Sequence, residues 1–245
     1  MMPQKFNAPI NIYWAPVYSG DSDWNMIYPD MDSLYDVLRI NMNSDGPPNG
    51  NFFYCPAFSN LTKNTFIIKN PIKSHFIIEN NKLVPQGSAH IQSDMFHAPS
   101  ILEKKQIVYV LRYIFFTDIE ENIDITLTSP YFNNSEHFKY GMLIPGRFSI
   151  NNWFRSTILE FSLWNDVKEF IVEKDEHLAY INFSTNKPIN LIRFEMNEKL
   201  HKYCSACNTS SKWEPWIPLY DRYKRFKSSR LKSMILKEIK QNIVS

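Results

Sequence analysis

Glycine is scarce in this chain, with 6 in 245 residues, each standing alone. That excludes the glycine-rich loops that cradle phosphates, because neither a P-loop nor a GxGxxG turn is present. No serine sits in a GxSxG elbow, so a hydrolase nucleophile of that type is excluded as well. The carboxylates of "SGDSDW" and "PDMDS" (Asp21, Asp23, Asp30 and Asp32) lack the central Gly and terminal Glu of an EF-hand loop. They read as turn and cap residues instead. Cysteine is also sparse. Three thiols, an odd number, make no disulfide framework.

Long apolar runs are missing too. The longest candidate, "IVYVLRYIFF", is too short to cross a bilayer and carries Arg112. The opening "MMPQKFNAPINIYWAP" has no continuous apolar segment of a signal peptide. No fixed-period repeat appears, and no Gly- or Ser-rich linker divides the chain. These absences lead us to expect a soluble protein of a reducing compartment, not exported by a signal peptide and without a membrane partner.

What is present suits a packed core: 44% of residues are apolar and 15% aromatic. Ile, Asn, Phe and Tyr are abundant and Ala is scarce, which favours strand over helix. The stretch to Asp30 predicts irregular structure wrapped on a core. "DMDSLYDVLRIN" predicts a short helix capped by Asp32 or Ser33, with Leu34, Val37 and Leu38 on one face. "NTFIIKNPIKSHFIIEN" repeats "FII" around Asn70-Pro71, which predicts a hairpin. From Ile107 seven strand-like runs follow at intervals of about ten residues. Helices are expected at about 197–208 and about 219–243. The expected fold is mainly β (α+β), an antiparallel β-sandwich or barrel-like core with a short N-terminal helix and a C-terminal amphipathic helix. One domain is expected, made of a wrapping segment (1–50), an antiparallel β core (51–196) and a helical extension packed on it (197–245).

Candidate chemistry is thin. "HKYCSACN" places His201, Cys204 and Cys207 close together, and Cys55 or a distant His would have to complete a zinc site. Leu200, Cys204 and Cys207 fall at i, i+4 and i+7, however, so one buried helix face is the expected role. His90, Asp94 and His97 in "SAHIQSDMFHAP" are of the types that hold non-haem iron. His177 and Lys187 have a spacing similar to the distal His and basic residue of iron- and 2-oxoglutarate-dependent oxygenases. That resemblance implies a double-stranded β-helix, with iron held by His177 and a His-x-Asp or His-x-Glu pair. None of His75, His90, His97 or His137 has a carboxylate at +2, so the pair itself is absent. An oxygenase-like enzyme is therefore an alternative, and no cofactor is expected.

Net charge is +2, unevenly spread. From Asp221 to Ser245 eight basic residues face two carboxylates, so that stretch carries +6 and the remainder −4. Just before and within it, "SKWEPWIPLYDRYKRFK" interleaves Trp213, Trp216, Tyr220, Tyr223 and Phe226 with Lys212, Arg222, Lys224 and Arg225. Such a pattern stacks bases and neutralises phosphates, or forms a strap that packs its rings on the core with its cations in water. Strap is the expected reading. Further on, Leu231, Ile235, Ile239 and Ile243 make an i, i+4 ridge opposite Lys227, Arg230, Lys237 and Lys240.

"NTFIIKNPI", "INNWFR", "LIRFEMNEKL" and "RYKRFKSSRLKSMILKEIK" together resemble uncharacterised proteins encoded by tailed marine phages, the cyanophage myoviruses and their relatives. The likeness covers most of the chain from about Phe52 onward. It implies a viral origin, a place in the host cytoplasm or the virion, and no catalytic residue. The resulting expectation is a non-enzymatic binding or interaction protein with a protein partner. Nucleic acid held by the basic C-terminal part is the alternative partner.

Overall fold

The computed structural model describes residues 8–17, 27–44, 55–80, 82–86, 96–97 and 106–244. Three sheets form its centre. The first runs in the order β14 (Ile189–Arg193), β1 (Ile10–Val17), β7 (Gln106–Thr117), β11 (Ser156–Leu163) and β9 (Gly141–Leu143), with the short β6 (Phe96–His97) also on β7. The second runs β10 (Gly146–Ser149), β8 (Asp124–Thr128), β13 (His177–Phe183), β3 (Thr65–Lys69) and β2 (Asp32–Ser33). The third is β12 (Glu169–Val172), β4 (Ser74–Glu79) and β5 (Lys82–Pro85). Among the described strands every pair is antiparallel except β1 with β14. The expected antiparallel, β-rich core is present as open sheets, and none of them closes into a barrel.

The apolar runs in β1 and β7 lack polar alternation because both faces of the first sheet are covered. Neighbouring residues on a strand point to opposite sides. Ile12, Trp14, Tyr109, Tyr113 and Phe115 enter one core cluster, whereas Tyr13, Ala15, Ile114 and Phe116 enter another. The first cluster is completed by Ile125, Leu127, Ala179, Ile181 and Phe183 of the second sheet and by Phe76, Phe170 and Val172 of the third. The second is roofed by α3 (Glu198–Trp213), α4 (Leu219–Ser228) and α5 (Arg230–Gln241). Beyond the second sheet, α1 (Leu34–Ser44) lays Leu34, Val37 and Leu38 against Ile67 and Tyr180, as its sequence predicts. Ser33 Oγ accepts the Asp36 amide at 3.4 Å at the start of that helix. The remaining helix, α2 (Pro56–Thr62), leads into β3.

Three local expectations fail for identifiable reasons. The opening segment is not merely a wrapping: Ile10–Val17 is an inner strand of the first sheet. The "FII" repeats do not pair, since β3 joins β13 and β4 joins β12 in a different sheet. Pro71 fixes φ near −65°, incompatible with the φ > 0 positions of the type I′ turn of tight hairpins. Asn70 instead builds a corner. Its buried Nδ2 donates to the carbonyls of Ile72, Val172 and Glu173 at 2.5, 3.3 and 3.1 Å. The C-terminal helix, third, is two helices, because Ser229 is extended and its Oγ caps α5 by accepting the Leu231 amide. The docking ridge itself forms, with Ile235 and Ile239 buried and Leu231 and Leu236 packed beside them. Ile243 lies past the helix in a bridge to Phe194.

A buried carboxylate–imidazole hydrogen bond locks the corner. Glu176 Oε1 accepts the ring Nδ1 of His137 at 2.8 Å and the His137 amide at 2.9 Å, while Oε2 accepts the Glu173 amide at 2.7 Å. Burial pushes the Glu176 carboxyl up, but these donors outweigh it and hold the group below its ordinary value. A carboxyl depressed in the folded state stabilises fully above its unfolded value of about 4.3. That stabilisation drains away as pH falls through the lower, folded-state value. Glu176→Gln should accordingly flatten the acid limb of a stability-versus-pH curve. His137→Phe strands a buried carboxylate and should cost about 3 kcal/mol or more in urea denaturation at neutral pH.

Candidate functional site

The segment that joins α3 to α4 carries two prolines, Pro215 and Pro218, which restrict its backbone and end each helix cleanly. Arg222 fastens this elbow from inside. It is 7% exposed, and its Nε donates to the Ile217 carbonyl at 3.0 Å while Nη2 donates to the Glu214 carbonyl. Tyr223 and Phe226, on the same side of α4, pack against Trp153 with ring centroids 5.5 and 5.8 Å away. Phe226 also meets Phe116 edge-on at 6.1 Å, tying α4 to β7. A helix so anchored presents its other side rigidly to solvent.

The end of α3, the elbow and the outer side of α4 expose aromatic residues. Trp213 is 77% exposed, Trp216 75% and Tyr220 69%. The strap expectation therefore holds only for Tyr223 and Phe226, while the tryptophans stand off the core. The difference comes from helical phase. Arg222, Tyr223 and Phe226 share the inward face of α4, which leaves Tyr220 and Lys224 outward, with Lys224 Nζ 5.3 Å from the Tyr220 ring centroid. Arg225 reaches Glu214 only at 3.8 Å and stays exposed. Lys224, Lys227, Arg230 and Lys237 are exposed and make no ion pair among the described residues.

Two of the expected contact residues serve the fold instead. Arg222 is the buried fastening just described, and Lys240 pairs with Asp118 at 3.2 Å. Lys232, on the same helix, donates to the Ile119 carbonyl at 3.2 Å. Its ammonium is lowered from the ordinary value by burial and by Lys227 nearby. The Lys212 side chain lies outside the described residues, as do His90 and Asp94.

Among the described residues no three His, Cys, Asp or Glu side chains converge as a metal would need. His97 belongs by its backbone to β6 in the first sheet, and His177 to β13 in the second. The His177 ring lies 3.4 Å from the Tyr180 hydroxyl, and burial followed by the Lys69 charge lowers its pKa. His201 is half-buried on α3, lowered by burial alone. Cys204 and Cys207 join Leu200 in the core beneath α3, and Cys55 is exposed at the start of α2. Burial raises the Cys204 thiol and pushes the Cys207 thiol up to about 11.

No protein-family model, curated protein or solved structure matches this chain. Among the described helices none is long and apolar enough to cross a membrane.

The thiols give a direct check of this geometry. At neutral pH a thiol reagent should label Cys55 promptly and leave Cys204 and Cys207 unmodified until denaturant is added. Prompt labelling of all three, counted by mass spectrometry, would contradict the packing of α3 on the first sheet.

Proposed function

We propose that this is a binding protein, phage-encoded as the sequence resemblance implies, that holds single-stranded nucleic acid on the elbow of α3 and α4. The supporting observation is the set of Trp213, Trp216 and Tyr220, each more than two-thirds exposed, with Lys224 over the Tyr220 ring and the exposed cations Lys227 and Arg230 in the same stretch of chain. Every base offers a flat face, and stacking on an aromatic side chain contributes about 1–3 kcal/mol per base. The cations supply phosphate contacts in the same stretch of chain. A rigid platform also loses little conformational entropy on binding, and the Arg222 fastening supplies that rigidity.

A protein partner is the other reading, since tryptophan, tyrosine and arginine also anchor protein interfaces. Charge favours nucleic acid instead. Protein interface centres are depleted in lysine, whereas Lys224 sits over the Tyr220 ring.

Fluorescence anisotropy with a labelled single-stranded oligonucleotide tests the proposal. Binding should be strong at low salt and fall steeply as salt rises. Trp213→Ala and Trp216→Ala should each weaken it by roughly tenfold or more. Lys224→Glu, Lys227→Glu and Arg230→Glu together should reduce the salt slope. No binding at low salt, or binding that ignores the tryptophans, would refute base stacking at this surface.

A further inference from the structure

We infer that the cleft at the edge of the sandwich, between β10 and β11, is a site for a small organic anion that carries a flat ring. Its volume of about 430 Å³ falls within the usual range of small-molecule sites. The wall holds two guanidinium groups, Arg112 and Arg155, and three aromatic rings, Phe115, Phe148 and Trp153. Nothing in the elbow reading uses the two arginines.

Backbone geometry places Arg112 there. The pairing of β7 with β11 jumps from Tyr113↔Thr157 to Tyr109↔Leu159, so on the β11 side the backbone of residues 110–112 has only that of Ile158 opposite it. Such an irregularity re-aims side chains and is common at sheet edges and binding sites. On the far side, β9 covers β11 only from Phe161 to Leu163. The stretch Ser156–Ile158 is thereby left to the cleft.

Electrostatics then selects the ligand. Arg112 is half-buried, and neither it nor Arg155 makes an ion pair among the described residues. Holding a partly desolvated guanidinium without a counter-charge is unfavourable, and a bound carboxylate or phosphate relieves it with charge-assisted hydrogen bonds. Arg155 sits over Phe148, 5.8 Å from the ring centroid, which orients its fork along the aromatic wall. Phe148 and Trp153 give a flat ring its stacking surfaces. Glu160, also in the wall, repels a second anionic group and accepts an N–H or O–H from the ring, so the ligand has one acidic end.

Isothermal titration of the full chain with adenosine 5′-monophosphate, with 4-hydroxybenzoate and with uncharged adenosine tests this. At least one of the two anions should saturate, and which one does so distinguishes phosphate from carboxylate recognition. Adenosine should bind about tenfold or more weaker than its monophosphate if phosphate is the recognised group. Arg112→Met and Arg155→Met should each weaken the anion by about tenfold or more. Arg155→Lys should recover only part of that, because it lacks the planar fork. Trp216→Ala should leave this binding unchanged, which separates the cleft from the elbow. Arg155 is exposed, so its variants carry the test even if Arg112→Met fails to fold. The inference is overturned if neither anion saturates by roughly 10 mM, or if folded Arg155→Met binds as tightly as the parent.

Discussion

A strand with apolar side chains on both faces demands a partner layer on each side. β7 is such a strand, and much of the architecture follows from meeting that demand. On one side the second and third sheets supply Phe183, Phe76 and Phe170; on the other, α3 to α5 supply Leu200, Phe226, Ile235 and Ile239. Each such side chain contributes about 1.5–3 kcal/mol when fully buried. The C-terminal helices are thus structural before they are anything else, and their functional surface is what remains after the core has claimed one face of each. The same logic leaves Lys224, Lys227, Arg230 and Lys237 outward, while Arg222 turns inward.

Trp153 connects the two surfaces described above. One part of its ring system meets Tyr223 and Phe226 beneath the elbow, and it also lines the cleft beside Phe148 and Arg155. Packing there is shared, so a displacement of Trp153 is felt by α4. The two sites have different chemistry, however. The elbow presents aromatic faces to open solvent, whereas the cleft encloses charge between sheet edges.

Much of the fold was legible in the sequence, because periodicity and turn chemistry report local structure. The strand runs from Ile107 to Arg193, the helix at Leu34 and the docking ridge of Ile235 and Ile239 all followed from spacing. Pairing was not legible. Asn70-Pro71 looks like a turn, and only the distant carbonyls of Val172 and Glu173 make it a corner. β1 was hidden by the Trp, Tyr and Pro content around it, although "INIYWAPV" carries the unbroken apolar pattern of a strand buried on both faces. At the candidate site, sequence identified the aromatic and basic stretch but not its phase. Arg222 looked like a cation for a partner, and the carbonyls of Glu214 and Ile217 that enclose it are visible only in three dimensions. Arg112 drew notice only as a charge interrupting an apolar run. No local signal marks the irregular pairing of β7 with β11 that turns it into the cleft.

The parallel pairing of β1 with β14 has a consequence for how the chain is made. Ile10 finds its register partner in Ile189, with most of the polypeptide between them. A ribosome releases the chain from its N-terminus at about 5–20 residues per second, so β1 emerges long before one of its two neighbours exists. Until then its Trp14 and Tyr13 faces are exposed together, and closing so long a loop slows the final pairing. Among the described strands β1 is synthesised before the others, and it is among the last to be fully paired. The nascent protein therefore passes through an interval in which its first sheet has an open edge, which is the interval in which a chaperone or a second nascent copy has access to it.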